Sequence, residues 1–462
     1  MHESLIASSK AAVPVLGLFE EDFEGRFPDA RDQGVARANA FKGQAGKLIL
    51  VSGPDGALEK VWYGLGKAAH PDLMVLRGLS ARLPDGDYAI ELSRPLIDPN
   101  ALALGWLLGT YQFDRYKPAK ERQRPRLVAP KGADIEQAKR IASACALARQ
   151  MVDTPAADMG PRQIETIARE IAEEHAAEIA VTSGEDLARD YPAVHAVGRA
   201  ADPARGPRIV EITWNGDRAD LPLVALVGKG VVFDSGGLDI KAASGMRNMK
   251  KDMGGAAHAL ALGRLVMQAG LNCRLKVLVP AVENAISGDA FRPGDVLKTR
   301  KGLSVEVGNT DAEGRLILSD ALARAGEHEP ELTVDFATLT GAARVALGPQ
   351  LPPFYTDDEA LAADIAEAAR AVDDPVWRMP LWRGYRDAVE AEIADLRNDS
   401  ADWAQAGSVT AALFLQRFAP ESGWWVHFDI FAWNPKARPG WPAGGEAQAM
   451  RAVFAVLRKR YG

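Results

Sequence analysis

PLVALVG (Pro222–Gly228), GGAAHALALGRLVMQAG (Gly254–Gly270) and RLKVLVPAVEN (Arg274–Asn284) read in order as an apolar strand, an amphipathic helix and a second apolar strand. The alternation continues outward, through RQIETIAREIAEEHA (Arg162–Ala176) and PRIVEITW (Pro207–Trp214) on one side and LTVDFATLTGA (Leu332–Ala342) on the other. Strands rich in Val, Ile and Leu, separated by amphipathic helices, predict a sheet covered on both faces. Residues 161–462 are therefore expected to form the larger, α/β/α domain around a central mixed, largely parallel sheet. In such a sheet ligands collect at the carboxyl ends of the strands.

Residues 1–133 predict a smaller α/β domain. Short apolar runs, KLILV (Lys47–Val51), DLMVLRG (Asp72–Gly78) and DYAIEL (Asp87–Leu92), share this region with the helical pattern ALALGWLLGTYQF (Ala101–Phe113). Turn-forming residues in PRLVAPKGAD (Pro125–Asp134) precede a helical segment, Ile135–Val152, that stops at DTPAADMGP (Asp153–Pro161). Residues 134–160 are read as a linking helix and hinge. There is no internal repeat or low-complexity tract.

The composition excludes several functions. At roughly 100 to 200 residues per domain, 462 residues suffice for two or three domains and a large core. With 62 acids against 55 Lys plus Arg the net charge is -7, so no global basic field draws in nucleic acid or an anionic membrane. Cys145 and Cys273 are far apart and outside any zinc-ligand spacing, which points to a reducing compartment. The first residues make a poor secretory signal, and no apolar run approaches the roughly 20 residues that cross a bilayer. A soluble, cytoplasmic protein without membrane or nucleic-acid partners is expected.

Chemistry concentrates in two stretches. In GNTDAEGRLIL (Gly308–Leu318), Asp311, Glu313 and Arg315 occupy every second position, then Leu316, Leu318, Ala321, Leu322 and Ala325 take up helical spacing and Gly326 offers a stop. The trio would share a face if extended and would scatter on a helix. It sits where a strand or loop enters a helix, a poor place for Arg315, since a helix N-terminus favours anions. In LVGKGVVFDSGGLDIKAASGMRNMKKDMGGAA (Leu226–Ala257), a strand over Leu223–Val227 delivers Lys229, Asp234 lies in a Gly-rich loop, and Lys241 and Asp252 follow. If Asp234, Asp252, Asp311 and Glu313 meet, their repulsion demands cations, which two divalent metals would supply. Oxygen-rich ligation without Cys or His suits Mg2+ or Mn2+, and carboxylates with one amine, Lys229, remain acceptable to Zn2+ or Co2+.

These residues resemble the leucyl aminopeptidases of the M17 type, cytosolic dinuclear metalloexopeptidases. NTDAEGRL (Asn309–Leu316) matches that family's signature, and VGKGVVFDSGG, MKKDMGGAA, DFATLTGA and AGSVTAALFLQRF extend the likeness over roughly 161–462. Before about residue 130 the likeness rests on LGTYQFDRYK (Leu108–Lys117). The resemblance implies that Lys229, Asp252 and the shared Asp234 and Glu313 hold one metal, and that Asp311 with the shared pair holds the second. Lys241 matches the residue that polarises the scissile carbonyl, and Arg315 the one that holds a bicarbonate acting as general base. Met249, Asn309, Thr338, Leu339 and Gly341 match substrate-pocket positions. The implied substrates are peptides with a free N-terminus and an apolar first residue such as Leu, and the implied assembly is a homohexamer.

The chain departs from the family in HFDIFAWNP (His427–Pro435), where small residues usually follow the Asp–Ile pair, and in the extra cations Arg247 and Lys251. These bear on side-chain preference rather than on reaction type. Taken singly, Asp311 or Glu313 would be a helix-start acid, Lys241 a surface charge and Met249 core filler; only the joint pattern reads as a site. His258 and His427 read as structural histidines. Two alternatives accompany the peptidase: a dinuclear phosphoesterase, since paired metals and cations suit phosphate, and a DNA-binding regulator, which the acidic balance opposes.

Overall fold

The computed structural model describes residues 2–23, 30–117, 124–400 and 402–462. Its chain groups into two compact units, Met1–Ala146 with Lys436–Ala443, and Leu147–Pro435 with Gly444–Gly462. The first unit carries a sheet ordered Leu5–Ile6, Arg126–Val128, Asp87–Leu92, Val13–Phe19, Leu58–Gly66 and Leu48–Ser52. Only the last pair is antiparallel. KLILV and DYAIEL supply strands here, whereas DLMVLRG closes into a 3-10 turn, Val75–Gly78. Asp72 accepts a hydrogen bond from Met74 N at 2.8 Å, and that local turn diverts the run from the sheet.

The second unit carries the site. Its sheet is ordered Trp377–Arg378, Pro353–Tyr355, Trp424–Asp429, Leu332–Ala337, Leu223–Gly228, Arg274–Asn284, Arg208–Trp214 and Glu178–Ser183, and Gly230–Asp234 pairs with the later part of Arg274–Asn284. Trp424–Asp429, Leu332–Ala337, Leu223–Gly228 and Arg274–Asn284 run parallel to their neighbours in that block, and antiparallel strands complete both sides. Every residue of Leu223–Gly228 is buried, as a strand covered on both faces must be.

Helices Gly254–Ala269 and Glu313–Gly326 both pack on this strand. Leu316, Ile317, Ala321 and Leu322 of the second helix share a core cluster with Ala225 and Val227. The first helix is built of Ala and Leu, strong helix formers, and ends at Gly270 in the left-handed conformation, φ 63°. Gly255 allows its start to touch the sheet, since a Cβ there would stand 2.0 Å from the Phe336 carbonyl oxygen. The second helix already includes Glu313 and Arg315 in its first turn, with Asp311 in the turn before it. The trio is thus gathered by a loop-to-helix transition and not by extended alternation.

Candidate metal centre

The parallel strands end together, and the residue at each end is chemical. Leu223–Gly228 delivers Lys229, Gly230–Asp234 ends on Asp234, Arg274–Asn284 on Asn284, and Leu332–Ala337 leads into Thr338. Asp252 comes from the short helix Met249–Met253 and Glu313 from the first residue of its own helix. One carboxylate oxygen each from Asp234, Asp252 and Glu313 lies within 4.8 Å of the others, and all three residues are buried.

Lysines fill the space between the acids. Lys229 Nζ stands 2.7 Å from Asp252 Oδ2 and 3.0 Å from Glu313 Oε1, and donates to Thr338 O at 2.9 Å. It reaches them past Gly314, where a Cβ would lie 2.5 Å from Lys229 Cε. Lys241 Nζ stands 2.8 Å from Asp234 Oδ2 and pairs with Asp311. Burial opposes the charge on Lys229, but Asp252, Glu313 and Asp234 outweigh it and hold its pKa above the ordinary lysine value. Lys241 is held up in the same way by Asp234 and Asp311. Burial and then the neighbouring Asp234 push Glu313 well above the usual carboxylate range and Asp311 up to about 6. Asp252 is the exception, lowered against its burial by Lys229 and Lys251.

The donor set fits divalent metal. Asp252 Oδ2, Asp311 Oδ1 and both Glu313 oxygens are buried without a hydrogen bond, although lysine ammonium groups stand at ion-pair distance. Carboxylate oxygens that converge within metal-ligand reach, with ammonium groups as their main company, are what a divalent cation would complete. Arg315 Nε is likewise buried without an acceptor, and burial lowers the arginine's pKa against the pull of Glu313, Asp399 and Asp429.

The pocket residues divide. Thr338 turns its hydroxyl to Asp252 Oδ1 at 2.8 Å, so it positions that carboxylate. Asn309 Oδ1 accepts from Asp311 N at 2.7 Å. Leu339 donates its N–H to Asp429 Oδ1 at 3.1 Å and packs on the core, Met249 is half-buried, and Gly341 faces open space. Three further residues escaped sequence reasoning. Asn284 Nδ2 donates to Asp234 Oδ1 at 2.9 Å and to Thr310 O at 3.1 Å. Asn398 clamps the signature loop, donating to Asn309 O at 2.7 Å and accepting from Gly308 N at 2.8 Å. Phe431 places its ring centroid 4.9 Å from Lys251 Nζ and 5.3 Å from the Arg344 guanidinium. An amide ending a strand whose middle, Val277–Val282, is apolar was the available signal for Asn284, and the departure after the Asp–Ile pair was the signal for Phe431.

The chain matches the model of the cytosol aminopeptidase family catalytic domain over residues 146–454 and that of the M17 aminopeptidase N-terminal domain over 20–130. The second match extends the kinship through the region where the sequence offered one short stretch. A probable cytosol aminopeptidase of Roseiflexus castenholzii is 36% identical, the alignment covering 96% of this chain and 95% of that one. A crystal structure of the cytosol aminopeptidase from Coxiella burnetii superposes with a TM-score of 0.92 at 41% identity and 99% coverage of both chains. The bottromycin maturation enzyme BotP in complex with Mn superposes with a TM-score of 0.86 at 31% identity, covering 98% of this chain and 100% of that one. None of these relatives lends support to a phosphoesterase or a DNA-binding regulator. No helix among the described residues is long and apolar enough to cross a membrane. The clustered carboxylates and these kinships converge: the chain belongs to the M17 cytosol aminopeptidase family, metal-dependent exopeptidases that hydrolyse peptides.

Proposed function

We propose that this protein is a dinuclear aminopeptidase that removes the first residue from peptides with a free N-terminus. The carrying observation is the convergence of Asp234, Asp252 and Glu313 within 4.8 Å, with unpaired oxygens and Asp311 alongside. Lys229, Asp252, Asp234 and Glu313 would hold one ion, and Asp311 with the shared Asp234 and Glu313 the other. Lys229 binds only as a neutral amine, and a dication in the same space removes the carboxylate stabilisation of its proton. When bound, the two ions supply Lewis acidity toward the scissile carbonyl and the attacking water.

The chain's own groups do the rest. Lys241, kept charged beside Asp234 and Asp311, donates to the oxygen that gains negative charge. Arg315, whose Nε lacks an acceptor, would hold a bicarbonate, which would supply a general base there. Thr338 and Asn284 keep Asp252 and Asp234 in place. Met249, Asn309, Leu339 and Gly341 border the space for the substrate's leading end. Manganese or zinc suits the oxygen-rich ligands, with Mg2+ and Co2+ also admitted, and a Mn complex of a structural neighbour supports manganese. Residues 161–462 carry the chemistry, 134–160 link them to 1–133, and a cytoplasmic homohexamer is the working form. An apolar first residue such as Leu is what kinship alone suggests.

Asp311→Asn tests the ligand assignment. It should abolish turnover of aminoacyl amides and remove one of two bound metal equivalents, read by metal analysis after stripping and reloading, with the circular dichroism spectrum retained. Full activity with two equivalents would overturn the assignment.

A further inference from the structure

Lys251 is the cation for which the proposed chemistry has no use. It follows Met249 and Lys250 in the short helix that carries Asp252, and its side chain is 94% buried, with 6% relative exposure. Its ammonium lies over the Phe431 ring, 4.9 Å from the centroid, and makes no hydrogen bond or ion pair among the described residues. Arg344 lies over the same ring but is already engaged, donating to Asp429 Oδ1 at 2.7 Å and to Asp429 O at 3.2 Å. An ammonium on so deeply buried a side chain, with an aromatic face and the charge of Asp252 near it but no hydrogen bond from the protein, is short of acceptors, a costly arrangement unless an anion completes it.

The charges around the centre point the same way. Asp234, Asp252, Asp311 and Glu313 face Lys241, Lys251 and Arg315, four acids against three cations, with Lys229 neutral as a metal ligand; two dications add four positive charges. Divalent ions therefore leave the cavity positive. Bicarbonate at Arg315 answers one unpaired cation, and Lys251 remains the other.

We infer that Lys251 binds the side-chain carboxylate of an acidic first residue, so that this enzyme prefers peptides beginning with Glu or Asp over those beginning with Leu. This rests on the aminopeptidase reading, because the substrate's amine must be anchored at Asp252's cluster for its first side chain to reach the neighbouring residue. Phe431 closes that space with a flat wall where the family usually has a small residue. The ring keeps the ammonium in place and excludes water, which strengthens the ion pair with a carboxylate. Gly341, matched to the same pocket by the family resemblance, stands beside open space, since a Cβ there would meet nothing within 4 Å.

The test compares Glu, Gln and Leu amides on the manganese-loaded, full-length protein, since Glu and Gln differ in charge but not in size. A charge-assisted contact predicts kcat/KM for Glu at least about tenfold above Gln. Lys251→Met should erase that ratio, and Lys251→Arg should keep much of it. A second readout needs no turnover: L-glutamate should raise the melting temperature of the loaded protein more than L-glutamine does, and Lys251→Met should abolish the difference. Equal rates for Glu and Gln in the wild type, or an unchanged ratio in Lys251→Met, overturn the inference and leave the aminopeptidase intact. If no amide is turned over, the aminopeptidase reading fails, while protection by glutamate that depends on Lys251 still upholds the carboxylate site. A loss in Lys251→Met confined to Gln-Gly relative to its C-terminal amide would assign Lys251 to the peptide's far carboxylate, and would overturn the first-residue preference.

Discussion

Asp252 and His258 stand in one short stretch of chain and are both sealed from solvent, yet their hydrogen-bonding capacity is spent in opposite ways. His258 donates through Nδ1 to Gly254 O at 2.6 Å and accepts at Nε2 from Gln448 N at 3.0 Å, which is the full capacity of a neutral imidazole. Gln448 passes the network on, accepting from Phe431 N and Ala432 N and donating to Pro349 O. Asp252, by contrast, leaves Oδ2 without a hydrogen bond, as do Asp311 and Glu313 nearby. A satisfied network fixes structure, and an unsatisfied one waits for a ligand.

The largest effect expected from this difference is stabilisation by metal. Manganese at about a thousand times its dissociation constant should stabilise the protein by about 4 kcal/mol, read as a shift in the denaturation midpoint. An unmoved midpoint would mean that the acids and lysines form a closed ion-pair network, and the contrast with His258 would collapse.

Acid should expose the other cluster. Burial holds His258 down to about 4 from an ordinary 6.5. Between those values the unfolded chain carries the proton and the native chain does not, so stability rises with pH across that window and is level in this term above it. The full term is about 3 kcal/mol, lost as pH falls from 6.5 to 4. His258→Phe should flatten that part of the stability-versus-pH curve in the metal-free protein, while costing about 2 kcal/mol at neutral pH for the groups it leaves unpaired. An unchanged curve would show that the acid sensitivity lies elsewhere.

The two clusters also differed in how far they could be read from sequence. The meeting of Asp234, Asp252 and Glu313 was legible because repulsion among acids is a property of residue type, while the ligand roles given to them and to Lys229 and Asp311 rest on the family resemblance. The strands were legible for a similar reason, since an unbroken apolar run such as Leu223–Val227 has few other uses. Asn284, Asn398 and Gln448 were not, because each acts on backbone or side-chain groups remote in sequence, and an isolated amide advertises no partner. Thr338 was found, but as a pocket residue; its hydroxyl direction toward Asp252 belongs to the packed structure. DLMVLRG failed as a strand because one local carboxylate–amide bond outweighed its apolar content.

The smallest effect is the most pointed, because its sign runs against the usual cost of altering a buried residue. In the metal-free protein Glu313 is buried against Asp234, which raises its pKa well above the ordinary value. Above that ordinary value the unfolded chain releases the proton readily and the native chain resists, so this carboxylate lowers stability as pH rises. Glu313→Gln removes the charge and keeps the shape, at the loss of one contact with Lys229. The metal-free variant should therefore be more stable than wild type at pH 8, by about 1 kcal/mol, and should lose the stabilisation by manganese. If it is instead less stable, Lys229 and Glu313 form a structural pair whose attraction exceeds the repulsion from Asp234, and the unpaired oxygens of Glu313 would cease to mark a binding site.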